Sequence, residues 1–167
     1  MATWGAVRPV TLLKLKQMPL LLSAVPKSEI RTQFAALCFR MVGNKPEILL
    51  ITSRGSGRWI LPKGWPASGR TPAAMALREA WEEAGVQGRA YDTCLGLYSY
   101  AKTIGPDRGL PCVALVYPVR VKSQTAHFPE AGQRRVKWFR PKKAAARVRE
   151  PELAEIIRSF NPQRLGL

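Results

Sequence analysis

The stretch from Thr71 to Gly85 constrains the fold more than any other part of the chain. Thr71 can cap a helix through its hydroxyl, Pro72 suits a first turn whose N–H needs no partner, and Gly85 supplies a stop. The spacing predicts a helix over about Pro72 to Ala84. One face carries Ala73, Ala76, Leu77, Ala80, Trp81 and Ala84, small and apolar, suited to packing on a sheet. The other carries Glu79, Glu82 and Glu83, at i,i+3 and i,i+4 separations, and is expected to hold the carboxylates outward. Each like-charge pair there costs about 0.2–0.5 kcal/mol. The acids also sit at the negative end of the helix dipole, which costs about 0.3–1 kcal/mol each. Arg78, four residues before Glu82, is the local counter-charge.

The arrangement is more unusual in its context. The chain has 167 residues, with 27 Lys and Arg against 11 Asp and Glu, a net charge of +16, yet three of its acids lie within five residues. A solvated acidic face would account for an isolated E-x-x-E-E, but not for a cationic chain gathering its scarce acids at one spot. A divalent cation, Mg²⁺ or Mn²⁺, accounts for both, because hard carboxylate oxygens are the ligands it takes, with water and substrate phosphates completing the shell. The surrounding positive field concentrates polyanions, leaving polyphosphate, nucleic acid and anionic membrane as partner classes.

The rest of the chain reads as a globular domain, with 46% apolar and 23% charged residues. Short β-like runs at Gln33 to Phe39 and Glu47 to Thr52, separated by Gly43-Asn44-Lys45-Pro46, predict a hairpin. Arg58 to Leu61 is a third strand, stopped by Pro62, and Lys63 to Arg70 reads as loop. Strands are expected at Leu95 to Tyr100 and Cys112 to Val121, around a turn-rich Gly105 to Gly109 loop, and at Val136 to Phe139. Pro151 opens a helix with Leu153, Ile156, Ile157 and Phe160 at core-facing spacing. The pattern is a single α/β (α+β) layered domain.

Cys38, Cys94 and Cys112 are too few and too widely spaced for a disulfide framework or a zinc site, which fits a reducing, cytoplasmic compartment. No apolar run reaches eighteen residues, so no helical span is expected. The first 28 residues lack acids, but Met18-Pro19-Leu20-Leu21-Leu22 is too short and Pro-broken for a signal-peptide core. Residues 1–30 are expected to be an extension, partly disordered or packed on the domain; 31–160 form the domain, and 161–167 a tail.

Gly64 followed by Arg78-Glu79-Ala80-Trp81-Glu82-Glu83-Ala84-Gly85-Val86 resembles the G-x5-E-x7-R-E-U-x-E-E-x-G-U box of Nudix (MutT-like) hydrolases. The segments Ala35 to Arg40, Glu47 to Ser53, Arg58 to Gly64 and Lys137-Trp138-Phe139 extend the resemblance, over roughly 31–160, to the diphosphoinositol polyphosphate phosphohydrolase branch. The Pro62-Lys63-Gly64-Trp65 entry to the box is similar to that of its bacterial members. The resemblance implies an α/β/α sandwich around a mixed sheet. It further implies that Glu79, Glu82 and Glu83 bind metal, that the Gly64 carbonyl is a further ligand, and that Arg78 orients the glutamates. One position departs from the box: Arg70 stands where the pattern has Glu, a residue that in the family partners the box arginine.

The implied chemistry is attack by an activated water on a phosphoanhydride, with Glu83 or Glu79 accepting the proton. Glu130 and Asp107 are candidate additional carboxylates, though each is more simply a solvated loop acid. Arg31, Thr52, Ser53, Arg54, Arg58 and Lys63 are candidates for phosphate binding, with the resemblance singling out Arg31 and Arg54. Arg134 and Arg135, in a run from Arg120 to Arg149 with ten cations and one acid, are candidates for a phosphate rim. His127, the single histidine, builds no catalytic constellation. The expected substrate is a highly phosphorylated pyrophosphate such as a diphosphoinositol polyphosphate or a diadenosine polyphosphate. The alternatives are an ADP-ribose or nucleotide-sugar pyrophosphatase, or a non-catalytic module for RNA or other polyanions, disfavoured by the lack of an RNP-type aromatic motif.

Overall fold

The helix forms where its caps place it. In the computed structural model, which describes Pro19, residues 31–106 and residues 108–167, α1 spans Pro72–Ala84. The Thr71 hydroxyl accepts from the Ala74 N–H at 3.2 Å, and Gly85 turns the chain out at φ 67°. A side chain at Gly85 would be strained in that conformation and would also strike the Phe128 ring. The extension expected over 1–30, Pro19 aside, and the candidate acid Asp107 lie outside the described residues.

β1 (Thr32–Val42) and β2 (Lys45–Thr52) form the expected antiparallel hairpin. β3 (Trp59–Ile60) pairs with β2, and β4 (Lys63–Gly64), within the segment expected to be loop, pairs with β1. β5 (Val86–Ala90) follows α1 directly, and β6 (Gly96–Gly105) and β7 (Arg108–Gln124) make a long hairpin. β8 (Val136–Phe139) adds to β2. The sheet is mixed, because β1 and β7 run parallel in a β3-β2-β1-β7-β5 order. β1 pairs with β2 over residues 39–42 but with β4 at Phe34 and Ala35. The two hairpin strands therefore part, and the β3–β4 segment enters between them, fixed where the Ala36 N–H donates to the Pro62 carbonyl at 2.9 Å. That parting opens a crevice beside α1.

Alternate residues of β1 enter two cores. Phe34, Ala36 and Cys38 pack under the alanines of α1, while Ala35, Leu37 and Phe39 pack with Leu153, Ile157 and Phe160 on the opposite face. The latter belong to α3 (Pro151–Ser159) and its cap, next to α2 (Pro141–Ala145). Helices on both faces make the α/β/α sandwich. Leu77 and Trp81 are only partly buried, whereas Met75 and Glu83 are buried, so one of the carboxylates expected to face outward turns inward. Among the described residues no helix is long and apolar enough to cross a membrane. The three cysteines are free, two of them buried.

Candidate active site

The crevice is a cleft of about 1040 Å³, lined from α1 by Arg78, Glu79, Glu82 and Glu83 and from β4 by Lys63 and Gly64. Glu83 is held by the protein at both oxygens. Its Oε2 accepts from the Lys63 N–H at 3.0 Å, and its Oε1 from Arg134 Nη2 at 2.5 Å. Burial raises its pKa, against the opposing pull of Arg134 and Lys63. Arg134 has a side chain only 6% exposed and also donates to Glu130 Oε2 at 2.8 Å and to the Thr52 carbonyl at 3.1 Å. Glu130, expected as a solvated loop acid, is thus a partly buried wall of the cleft.

Glu79 is different. It makes no hydrogen bond or ion pair among the described residues, and its carboxyl lies against Gly64, in the space that any Cβ there would fill. The glycine at that point of the motif is therefore a requirement of close approach. Burial, followed by the charges of Glu83 and Glu82, pushes the Glu79 pKa up to about 7. Glu82 is more open and accepts from Arg78 Nε at 2.6 Å. Arg78, lacking a glutamate at position 70, pairs with a carboxylate of the triad itself; Arg70 is exposed.

The negative end of α1 is covered. The Gln124 amide donates to the Ala84 carbonyl, the Thr125 N–H to that of Gly85, and the Glu130 N–H to that of Glu82, each at 3.0 Å. These donors satisfy carbonyls left open at the helix end and offset the dipole cost that the sequence implies.

The cation-binding expectation can be tested against this donor set. Among the described residues no three carboxylate, histidine or cysteine side chains converge on one point as a closed cage. Mg²⁺ and Mn²⁺ do not require one; a magnesium site usually takes one or two carboxylates, with waters and phosphates supplying the rest. An unpartnered, half-buried Glu79 beside an accessible Glu82 fits that requirement. Glu83 would join only by sharing oxygens already held by Arg134 and the Lys63 N–H.

Of the expected phosphate contacts, Ser53, Arg54, Arg58, Lys63 and Arg134 line the cleft. Arg58 is committed to the buried Glu150 at 2.7 Å, and Arg54 reaches Gln133 at 3.3 Å and Glu130 at 3.8 Å. Arg31, Thr52 and Arg135 are not in the cleft wall. Arg31 is exposed at the start of β1, and Arg135 lies over the Trp59 ring, 5.2 Å from its centroid. Thr52 is buried, its hydroxyl accepting the Arg135 N–H at 2.9 Å. Sequence reasoning misses Gln33, Trp65, Tyr100 and Lys102, which also line the cleft. The Pro-Lys-Gly-Trp string is the one pointer to Trp65. Lys102 gives no local signal. Lys63 Nζ lies 4.9 Å from the Tyr100 ring centroid and Lys102 Nζ 4.5 Å from that of Trp65.

The chain matches the NUDIX domain over residues 31–160. It is 32% identical over 118 residues to "Nudix hydrolase 16, mitochondrial" of Arabidopsis thaliana, covering 69% of this chain and 65% of that protein. It is 42% identical over 55 residues to human "Diphosphoinositol polyphosphate phosphohydrolase 3-alpha", covering 33% of this chain and 34% of that one. The chain thus spans less than two thirds of the length of these relatives. A Caenorhabditis elegans Ap4A hydrolase structure superposes with a TM-score of 0.60 at 19% identity, over 83% of this chain and 100% of that one, and shares the fold.

Proposed function

Since the chain belongs to the NUDIX domain family, we propose that it hydrolyses a phosphoanhydride bond in a highly phosphorylated substrate, using Mg²⁺ or Mn²⁺. The observation that carries this reading is one cleft whose lining brings together unpartnered, half-buried Glu79, accessible Glu82 and the cations Arg54, Lys63 and Lys102. Glu79 and Glu82 would hold the ion, with the Gly64 carbonyl beside them as a further donor. The ion would supply neutralisation of phosphate charge and a more acidic water.

The chain's own groups do the remainder. Arg134 and the Lys63 N–H fix Glu83, and through it the last turn of α1, against β4. Arg78 steadies Glu82. Of the two candidate proton acceptors, Glu79 keeps its oxygens free of hydrogen bonds, so one can face the water while the other meets the ion, whereas both oxygens of Glu83 are held by Arg134 and the Lys63 N–H. Lys63, Lys102 and Arg54 bind the phosphates flanking the bond that breaks. A purely polyanion-binding module would have no use for four carboxylates turned into a cationic cleft, and that alternative is set aside.

The test is release of phosphate or nucleotide from a panel of nucleoside polyphosphates, inositol pyrophosphates and nucleotide sugars, with Mg²⁺, with Mn²⁺ and with EDTA. Glu79→Gln should lower kcat by about 10²–10⁴-fold with thermal stability retained. Full activity in a Glu82→Gln, Glu83→Gln double variant would rule out this site.

A further inference from the structure

Among the side chains of the cleft, the cations fall into two groups. Arg54, Arg58, Arg78 and Arg134 each face a carboxylate within 4 Å, whereas Lys63 and Lys102 make no ion pair at that distance among the described residues and rest on aromatic rings. The two rings differ in turn. Tyr100 is nearly buried, its hydroxyl donating to Gln33, while Trp65 is partly exposed at the cleft wall.

Resting on the pyrophosphohydrolase reading above, we propose that Trp65 is the platform for the base of a nucleoside polyphosphate, and that Lys102 covers this platform until the substrate's phosphates draw it away. A lysine over a partly exposed indole is held weakly, and a phosphate offers it a charge-assisted hydrogen bond instead. The indole face it leaves can take a purine or pyrimidine, whose stacking is stronger than the contact it replaces. The exchange couples the two ends of the ligand, so a base and a polyphosphate tail on one molecule bind better than the tail alone. Trp65 is one residue from Gly64, and therefore fixed relative to the carboxylates. Lys102, pairing with Leu110 in the β6–β7 hairpin, reaches the ring from β6.

The experiment compares adenosine 5′-tetraphosphate with inorganic tetraphosphate, the same tail with and without a base, by calorimetry in EDTA so that nothing turns over. The unaltered protein should bind the nucleoside form at least tenfold more tightly. Trp65→Leu should erase that preference while leaving the bare tail within twofold, and Trp65→Phe should restore most of it. Lys102→Met should weaken the bare tail by threefold or more, and the nucleoside form less, because a base then meets an uncovered ring.

Equal affinity for the two ligands in the unaltered protein, no binding of the nucleoside form at millimolar concentration, or equal weakening of both ligands by Trp65→Leu would each overturn the proposal. Should Trp65→Leu fail to fold, Trp65→Phe and Lys102→Met decide it by the same criteria. If base preference holds but no phosphoanhydride is cleaved with either metal, the function reading fails and this one stands. Cleavage without base preference does the reverse.

Discussion

The two walls of the cleft carry similar numbers of cations and use them differently. On the wall built from α1 and the loop before β8, Arg78 is bonded to Glu82, and Arg134 to Glu83, Glu130 and the Thr52 carbonyl. On the wall built from β4 and β6, Lys63 and Lys102 lie over aromatic rings with no ion pair within 4 Å among the described residues. The first set of charges fixes geometry; the second is left with affinity for an incoming anion. The difference also explains how a strongly positive chain keeps a carboxylate cluster in place, since buried arginine acts as internal counter-ion where the glutamate is most buried but is absent beside Glu79.

The largest effect should come from breaking the paired wall. Arg134→Met leaves Glu83 buried without its main counter-charge and should destabilise the protein by about 3–5 kcal/mol, lowering Tm by roughly 10 °C. Denaturant unfolding measures it, and a loss below about 1 kcal/mol would mean the pair is not holding the wall.

The unpaired wall should answer in the opposite direction. Burial, offset by Glu83, pushes the Lys63 pKa down to about 8, so the folded state bears the burden of an incompletely solvated charge. Lys63→Met should therefore raise stability at pH 7 by about 1 kcal/mol while weakening polyphosphate binding at least fivefold. The gain should fade between pH 8 and 10.5, as the lysine of the unaltered protein gives up its proton in the folded state first. A destabilised variant would show that Lys63 serves the fold.

Glu79, on α1 but outside its ion pairs, should show in the pH dependence of stability. The Glu79 carboxyl titrates near 7 in the folded, metal-free protein against an ordinary value of 4.5, so over that interval the folded state keeps a proton the unfolded chain has lost. Stability in EDTA should accordingly decline as pH rises from 4.5 to 7, and Glu79→Gln should flatten the slope. An unchanged slope in the variant would place the titration elsewhere.

Much of the fold and part of the site are legible in the amino-acid string, and the failures have physical causes. The helix bounds follow from Thr71, Pro72 and Gly85, because capping is local chemistry; β8 is equally plain. β5 is not, since Val86-Gln87-Gly88-Arg89-Ala90 has one large apolar residue, and its glycine serves a close approach to the Arg120 carbonyl. In the site, the glutamates follow from spacing along one helix, whereas Trp65 and Lys102 meet through pairings remote in sequence. Adjacent arginines are the hardest case. Arg134 enters the cleft and Arg135 stacks on Trp59, a choice of side fixed by how β8 joins β2 and invisible in the string itself.

β7 gives the fold its order of assembly. Its parallel partner is β1, joined at Thr32 and Val113 across about eighty intervening residues, with β6 on its own other side. Until that far partner has been made, the first hairpin can pair only with itself and with β3, β4 and β8, and one edge of β1 stays open. The centre of the sheet should thus be among the later parts to acquire amide-exchange protection on refolding, with the β6–β7 hairpin ahead of it, and the crevice should take its final shape only once the chain has closed that long loop.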